Sequence, residues 1–501
     1  MLKVKTYGHK FNYDISELVK VFELTPDIIN HDETQDDYKL PMDLELENTD
    51  IIESRLLFKD SKILAITTGN INGLVEKTEE QLNMTHNVLK DKKVSKHLVK
   101  KGIFRLLKKA TNKDVPWGIL TGIRPTKIVH DMLKDKYSDM NIISCLRDQY
   151  YIAEEKAQLL LQVAKTEYKV LYPLDDNKIS LYVSIPFCPT RCTYCSFPSN
   201  PIKNSGHLTE AYVDVLCREI EQTSKLQSIR NKVIDTIYIG GGTPSSLSDF
   251  EIEKVLKCLC ENFDLSAIRE FTFEAGRPET ITWEKLNVFK ENGVTRLSIN
   301  PQTMNDCTLK DINREHTAID VIEAYKMAQK VGFNNINMDI IIGLPNESIS
   351  MLKYTMEQIK EINPLNITVH TLAIKRASNL KVTNYNNNVR DEEILHMIAL
   401  TMEYAKSMGL HPYYLYRQKH MVGNLENIGY CKPGYEGIYN IEIMEEKQTI
   451  IAFGAGAVSK VVFNDENRLE RVPNVKSLEH YLDRVEEMVE RKRKALEGIL
   501  C

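Results

Sequence analysis

The chain has 501 residues, of which 42% are hydrophobic and 27% charged, a composition that excludes disordered and fibrous classes and allows two or three globular domains. A formal net charge of -5 gives no basic excess for a nucleic-acid backbone. No apolar run reaches the roughly 20 residues of a membrane span, and the start MLKVKTYGHKF lacks a signal-peptide core, so a cytoplasmic address is expected.

Residues 1–170 read as an accessory α+β domain, opening with a strand in KVKTYG and holding no glycine-rich catalytic loop. Within it, VLKDKKVSKHLVKKGIFRLLKK places nine basic residues between Lys90 and Lys109 against the single acid Asp91, with apolar residues at helical spacing. A solvated amphipathic helix is the plain reading, and a nucleic-acid arm is the sharper one. The stretch VPWGILTGIRPTK, Val115 to Lys127, is too rich in glycine, proline and tryptophan for a plain helix and reads as a packed loop.

From about residue 171 to 380 the pattern becomes short β-branched runs alternating with helical segments. Six strands are expected, in ISLYVSI, DTIYIG, EFTFEAG, RLSIN, NINMDIIIG and NITVHTLA. Alternation of this kind predicts a parallel sheet with right-handed crossovers, as an open sheet or a partial barrel. The chemically unusual residues stand at the C-terminal ends of these strands, where such folds place their sites. They are three cysteines, then Gly240 to Thr243, Glu274, Asn300 and Gln302, Asp339, and His370. Residues 381–501, entered through the turn NYNNN, read as a smaller, mostly helical C-terminal domain covering the site, and its last segment DRVEEMVERKRKALEG as a solvated charged helix.

Ten cysteines in a chain of this length are no disulfide scaffold. Three of them, Cys188, Cys192 and Cys195, fall in IPFCPTRCTYCSF with the spacing C-x3-C-x2-C. Paired C-x2-C hooks would indicate structural zinc, and although His207 lies nearby nothing marks it as a fourth ligand. Three thiolates on one short loop suit three corners of an iron–sulfur cube, leaving one iron free.

Taken with IYIGGGTPSSL, FTFEAGRPETIT, RLSINPQTMN, INREHT and NMDIIIGLP, the cysteine loop resembles the radical S-adenosylmethionine (SAM) enzymes. In particular it is similar to the oxygen-independent coproporphyrinogen III oxidase/dehydrogenase group. The flanks GIRPTK, HTLAIKRAS and YNIEIMEEKQTIIAFGAGAVSK are similar to its longer subgroup with an N-terminal extension. The resemblance implies an α/β fold, a radical SAM partial (β/α)6 barrel between the α+β N-terminal and the helical C-terminal domain. It also implies a [4Fe-4S] cluster on Cys188, Cys192 and Cys195, with SAM on the fourth iron and reductive cleavage to a 5′-deoxyadenosyl radical. Tyr182, Tyr194, Gly241, Gly242, Thr243, Glu274, Gln302, Arg314, Asp339 and Ala373 match family positions that line two SAM sites.

The implied reaction is oxidative decarboxylation of two propionates of coproporphyrinogen III to vinyls, giving protoporphyrinogen IX in anaerobic haem biosynthesis. The implied partners are the tetrapyrrole and an electron donor such as flavodoxin or ferredoxin. Lys375, Arg376 and Arg417 are candidates for holding propionates, since arginine clamps carboxylates bidentately. Two positions depart from the best characterised enzymes: Ser184 replaces a histidine, and Phe197 replaces a further cysteine. The resulting Y-x-C-x-F form is shared with relatives proposed to move haem, which makes a haem carrier the alternative, beside a radical SAM enzyme acting on tRNA or protein. His370 stands where the family has phenylalanine.

Overall fold

A computed structural model describes residues 1–31, 50–122, 124–373, 391–417 and 425–498. Two compact units emerge, Met1–Leu161 and Gln162–Cys501. The first unit ends at Leu161, and the second runs from Gln162 onward. The NYNNN turn, Lys375 and Arg376 lie outside the described residues.

The first unit is a five-stranded sheet in the order β2-β1-β3-β4-β5, with β1 Leu2–Tyr7, β2 Pro26–His31, β3 Ile51–Lys59, β4 Lys62–Ile71 and β5 Leu74–Asn83. The first three strands are parallel and the last three antiparallel. The basic stretch is the helix Val88–Thr111, capped by the Asn87 side chain. Its apolar face, with Leu98, Ile103, Phe104 and Leu107, packs into the core beside Leu2, Val4, Ile52 and Ile63. The charges on its flanks are drawn to acids of the same unit: Lys96 to Asp14 at 3.2 Å, Lys101 and Arg105 to Glu80 at 3.2 and 2.6 Å, and Lys109 to Glu76 at 2.5 Å. This pairing takes much of the positive charge that a nucleic-acid arm would need. The VPWGIL loop is packed as expected, with Trp117 buried.

The second unit carries an eleven-stranded sheet, β14-β15-β13-β12-β11-β10-β9-β6-β16-β17-β18. Its centre is the six expected strands: β6 Lys178–Ile185, β9 Val233–Gly241, β10 Glu270–Glu274, β11 Arg296–Ser298, β12 Ile336–Ile342 and β13 Asn366–Thr371. All six are mutually parallel. Two-residue strands β7, Phe187–Cys188, and β8, Asn200–Pro201, pair within the cysteine loop region. Several helices that follow the strands open on the hydroxyl caps the sequence offers: Ser248, Thr282, Thr317 and Ser348, the first and third as capping boxes.

Alternation along each strand divides the faces. Leu181, Val183, Ile237, Ile239, Phe271, Phe273, Leu297, Met338 and Ile340 are buried. The intervening Tyr182, Tyr238, Glu274, Asn337, Asp339, Thr368 and His370 line one cavity, so the sheet curls into a partial barrel with a polar interior.

The C-terminal part holds the expected helices, with strands among them. Past residue 410 come five strands, β14 His411–Tyr416, β15 Asn427–Cys431, β16 Thr449–Phe453, β17 Val458–Phe463 and β18 Arg468–Pro473. They extend the barrel sheet at both edges, β15 antiparallel to β13 and β16 parallel to β6. Between them the helix Ile438–Glu445 reaches the barrel interior, where Glu270 accepts the N–H groups of Ile438 (2.7 Å) and Tyr439 (3.4 Å), and Glu442 takes the Thr236 hydroxyl at 3.0 Å. The final charged helix, Val485–Leu496, is more than a solvated face: Lys492 and Glu219 form a fully buried ion pair at 2.5 Å. Among the described residues no helix is long and apolar enough to cross a membrane.

Candidate active site

The cysteine loop begins where β6 ends. Its backbone is pinned to the glycine loop after β9 by Gly242 N–H to Ile185 O at 2.8 Å and Thr243 N–H to Phe187 O at 2.6 Å. Gly241 has φ +111°, which disfavours any side chain, and a Cβ on Gly242 would lie 2.5 Å from Phe187 O and 2.9 Å from Cys188 Sγ. The glycines therefore let two strand ends meet beside the thiols. Thr243 Oγ1 donates to Cys188 Sγ at 3.6 Å. Further round, Arg277 Nη1 donates to Cys192 Sγ at 3.4 Å, while Arg314 donates to the Tyr194 hydroxyl at 3.2 Å and to the carbonyls of Gly276 and Asn300 at 2.6 and 2.9 Å.

The donor set and its spacing test which metal group fits. Burial pushes the Cys188 thiol up to about 11, a proton that only a strongly thiophilic group would displace at neutral pH. Tetrahedral zinc at about 2.3 Å from each sulfur would bring thiolates to about 3.8 Å from one another. Three thiols with no fourth protein ligand marked beside them suit three corners of a multi-iron cluster better than a closed tetrahedral zinc site.

Across the barrel mouth, two carboxylates face the same cavity with opposite tendencies. Burial, then the charge of Asp339, pushes Glu274 up to about 8 even though Gly241 N–H and the Tyr238 hydroxyl bond to it. Burial works against ionised Asp339 too, but the His370 imidazole, 3.7 Å from Oδ2, and the Asn337 amide at 2.8 Å hold it below the usual carboxylate value. One site thus keeps a neutral acid and an anion side by side. Gln302, in the left-handed region at φ +67°, and Arg314 both line the cavity, and each keeps one buried polar atom, Oε1 and Nε, without a hydrogen-bond partner. Both are ready for groups of a bound molecule.

The cavity measures about 450 Å³, and every expected cofactor residue lines it: Tyr182, Cys188, Cys192, Tyr194, Cys195, Gly241, Gly242, Thr243, Glu274, Gln302, Arg314, Asp339 and Ala373. His370 lines it as well, its Nδ1 at 3.1 Å from the Tyr416 hydroxyl. Arg417 does not. It is 3% exposed, and burial lowers its guanidinium to about 10 against the raising charge of Glu426. Ser184 also lies off the cavity, donating to Ala455 O at 3.1 Å and accepting at its carbonyl from Tyr212 at 2.7 Å, whereas Phe197 stands 62% exposed on the rim.

Sequence reasoning missed an aromatic wall: Tyr238, Tyr414, Tyr416 and Tyr439, with Tyr439 stacked 4.7 Å from Tyr238. Tyr238 was findable, being two residues before Gly240 on the inward face of its strand. Arg277 was also missed, although it sits three residues after Glu274 in EAGRPE.

A parallel partial barrel with a three-cysteine loop at its mouth, backed by a glycine loop, defines a radical SAM protein, and the sequence model of the Radical SAM superfamily matches residues 182–359. The oxygen-independent coproporphyrinogen-III oxidase-like protein HemZ of Bacillus subtilis (strain 168) is 40% identical over 399 residues, 79% of each chain. This chain belongs to that coproporphyrinogen III oxidase-like family. Heme chaperone HemW of the same organism is 30% identical over 315 residues, 62% of this chain and 76% of HemW. The solved coproporphyrinogen III oxidase HemN from Escherichia coli is similar at 21% identity and a TM-score of 0.49, over 65% of this chain and 73% of that one.

Proposed function

We propose that this chain is an oxygen-independent coproporphyrinogen III dehydrogenase that turns two propionates of its substrate into vinyls. The observation that carries the reading is the convergence on one 450 Å³ cavity of three cysteine thiols, a carboxylate pair of opposed proton affinity and a wall of tyrosines. Cys188, Cys192 and Cys195 hold the [4Fe-4S] cluster, and Gly241, Gly242, Thr243, Glu274, Gln302, Arg314 and Asp339 hold SAM, with room for a second molecule towards Ala373. When bound, cluster and SAM supply a hydrogen-abstracting radical by reductive cleavage.

The protein's own work is to bind, orient and keep out water. Glu274, neutral at pH 7, donates a hydrogen bond, and ionised Asp339 accepts from hydroxyl or ammonium groups. Tyr414, Tyr416 and Tyr439 offer aromatic faces with a polar hydroxyl, and Phe197 an apolar face, to pyrrole rings. Lys375 and Arg376 remain the proposed partners of the propionates. Each propionate loses a β-hydrogen atom, carbon dioxide and one electron, so a terminal acceptor is needed alongside a flavodoxin- or ferredoxin-type donor to the cluster.

A haem carrier is the second reading, favoured by Ser184 being drawn away from the cavity and by the exposed Phe197 on its rim. Anaerobic incubation of the reconstituted protein with coproporphyrinogen III, followed by mass spectrometry, separates the two. Loss of two formic-acid equivalents from the porphyrinogen supports the dehydrogenase. An unchanged porphyrinogen together with stoichiometric haem binding supports the carrier and overturns the first reading.

A further inference from the structure

An arginine buried against an iron–sulfur loop is costly unless its donors are used. Arg277 is 3% exposed, and its guanidinium is apportioned among three partners. Nε and Nη2 lie 2.7 Å from Glu279 Oε1, Nη2 also donates to Thr190 Oγ1 at 3.0 Å, and Nη1 reaches Cys192 Sγ at 3.4 Å. Among the described residues Glu279 is the carboxylate paired with this cation, and its other oxygen, Oε2, lies 3.2 Å from Nδ1 of the buried His316. A paired cation is therefore held directly against one of the loop sulfurs, Cys192, while among the described residues the side-chain hydrogen bond to Cys188 comes from the neutral Thr243 hydroxyl.

We infer that Arg277 sets the reduction potential of the cluster bound by this loop, and that Glu279 moderates it. Reducing a thiolate-bound cluster adds negative charge that spreads onto the sulfurs. A charge-assisted N–H···S bond and a nearby cation stabilise the reduced form more than the oxidised one, and in a dry site the effect is weakly screened. Arg277 thus makes the cluster easier to reduce, and Glu279, by compensating that cation, makes it harder. Arg277 is a positioning and tuning residue in this account; it also ties Thr190 and Cys192 into one turn of the loop.

The inference rests on the three cysteines binding a cluster, and the test separates the two claims. The full chain is reconstituted anaerobically with iron and sulfide, iron and sulfide contents are measured, and the midpoint potential is read by electron paramagnetic resonance during a potentiometric titration without SAM or substrate. Arg277→Gln is expected to lower the equilibrium constant for reduction at least tenfold, about 59 mV downward for one electron. Glu279→Gln is expected to move it in the opposite direction, and Arg277→Lys, which keeps charge but loses the planar fork, to fall between Arg277→Gln and the wild type. Should Arg277→Gln fail to take up a cluster, the sign of the Glu279→Gln shift decides. A wild-type protein that binds no cluster sinks the cofactor assignment and this inference together. Full clusters with potentials that do not move, or that move in the same direction in both variants, overturn the role of Arg277 and leave the cofactor assignment standing.

Discussion

Glu274→Gln isolates the physical consequence of placing a carboxyl group in the barrel interior. Its folded-state value of about 8 stands above an ordinary 4.5, a rise caused by burial and then by Asp339. At 1.36 kcal/mol per pKa unit, that difference corresponds to a ceiling of about 5 kcal/mol. The raised value means that the folded protein binds this proton more tightly than the unfolded chain does. The contribution is therefore fully present below the unfolded value and is lost as pH rises to the folded one. Between these limits the wild type falls relative to a glutamine variant that cannot ionise, by about 2 kcal/mol at pH 6 and about 5 kcal/mol at pH 9. Urea unfolding of the cofactor-free protein and of Glu274→Gln, read by circular dichroism across that range, measures the difference. A stability gap that is constant from pH 5 to 9, or that moves in favour of the wild type as pH rises, would refute the burial argument.

Gly242→Ala adds a methyl 2.5 Å from a backbone carbonyl and 2.9 Å from Cys188 Sγ, so the loop must shift at its first cysteine. The variant is expected to fold with native circular dichroism yet to reconstitute well under half the wild-type iron, as read by metal analysis. Lys492→Met leaves Glu219 buried without its cation and should cost about 3–5 kcal/mol in urea unfolding. Adding Glu219→Gln to that variant should recover most of the loss, and a double variant as unstable as the single one would show that the ion pair is not the cause.

What could be read in advance was what is local. Short β-branched runs alternating with helical segments identified the six parallel strands, and the cysteine and glycine loops lay at the ends of the first two. What could not be read depends on pairing between distant segments. Strand β16 joins β6 in register Thr449 to Ile179, and no local pattern in TIIAF distinguishes a barrel edge from a separate domain. Lys492 looks like any lysine of a charged helix until Glu219, 273 residues earlier, is brought against it. Tyr439 is anonymous in GIYNIEI because its helix gains meaning only when Glu270 accepts its first N–H groups inside the barrel. Arg417 was a candidate on its charge, and charge alone does not say whether a side chain meets ligand or is buried near another charge, here Glu426.

The most direct test of the central claim, that the cavity at the barrel mouth is a cluster-and-SAM site, is the yield of 5′-deoxyadenosine from SAM. It is measured in anaerobically reconstituted wild-type protein and in Cys192→Ala under the same reductant. Deoxyadenosine from the wild type and none above background from the variant is the predicted result. Equal yields from the two proteins, or none from a wild type carrying a full complement of iron and sulfide, would contradict it.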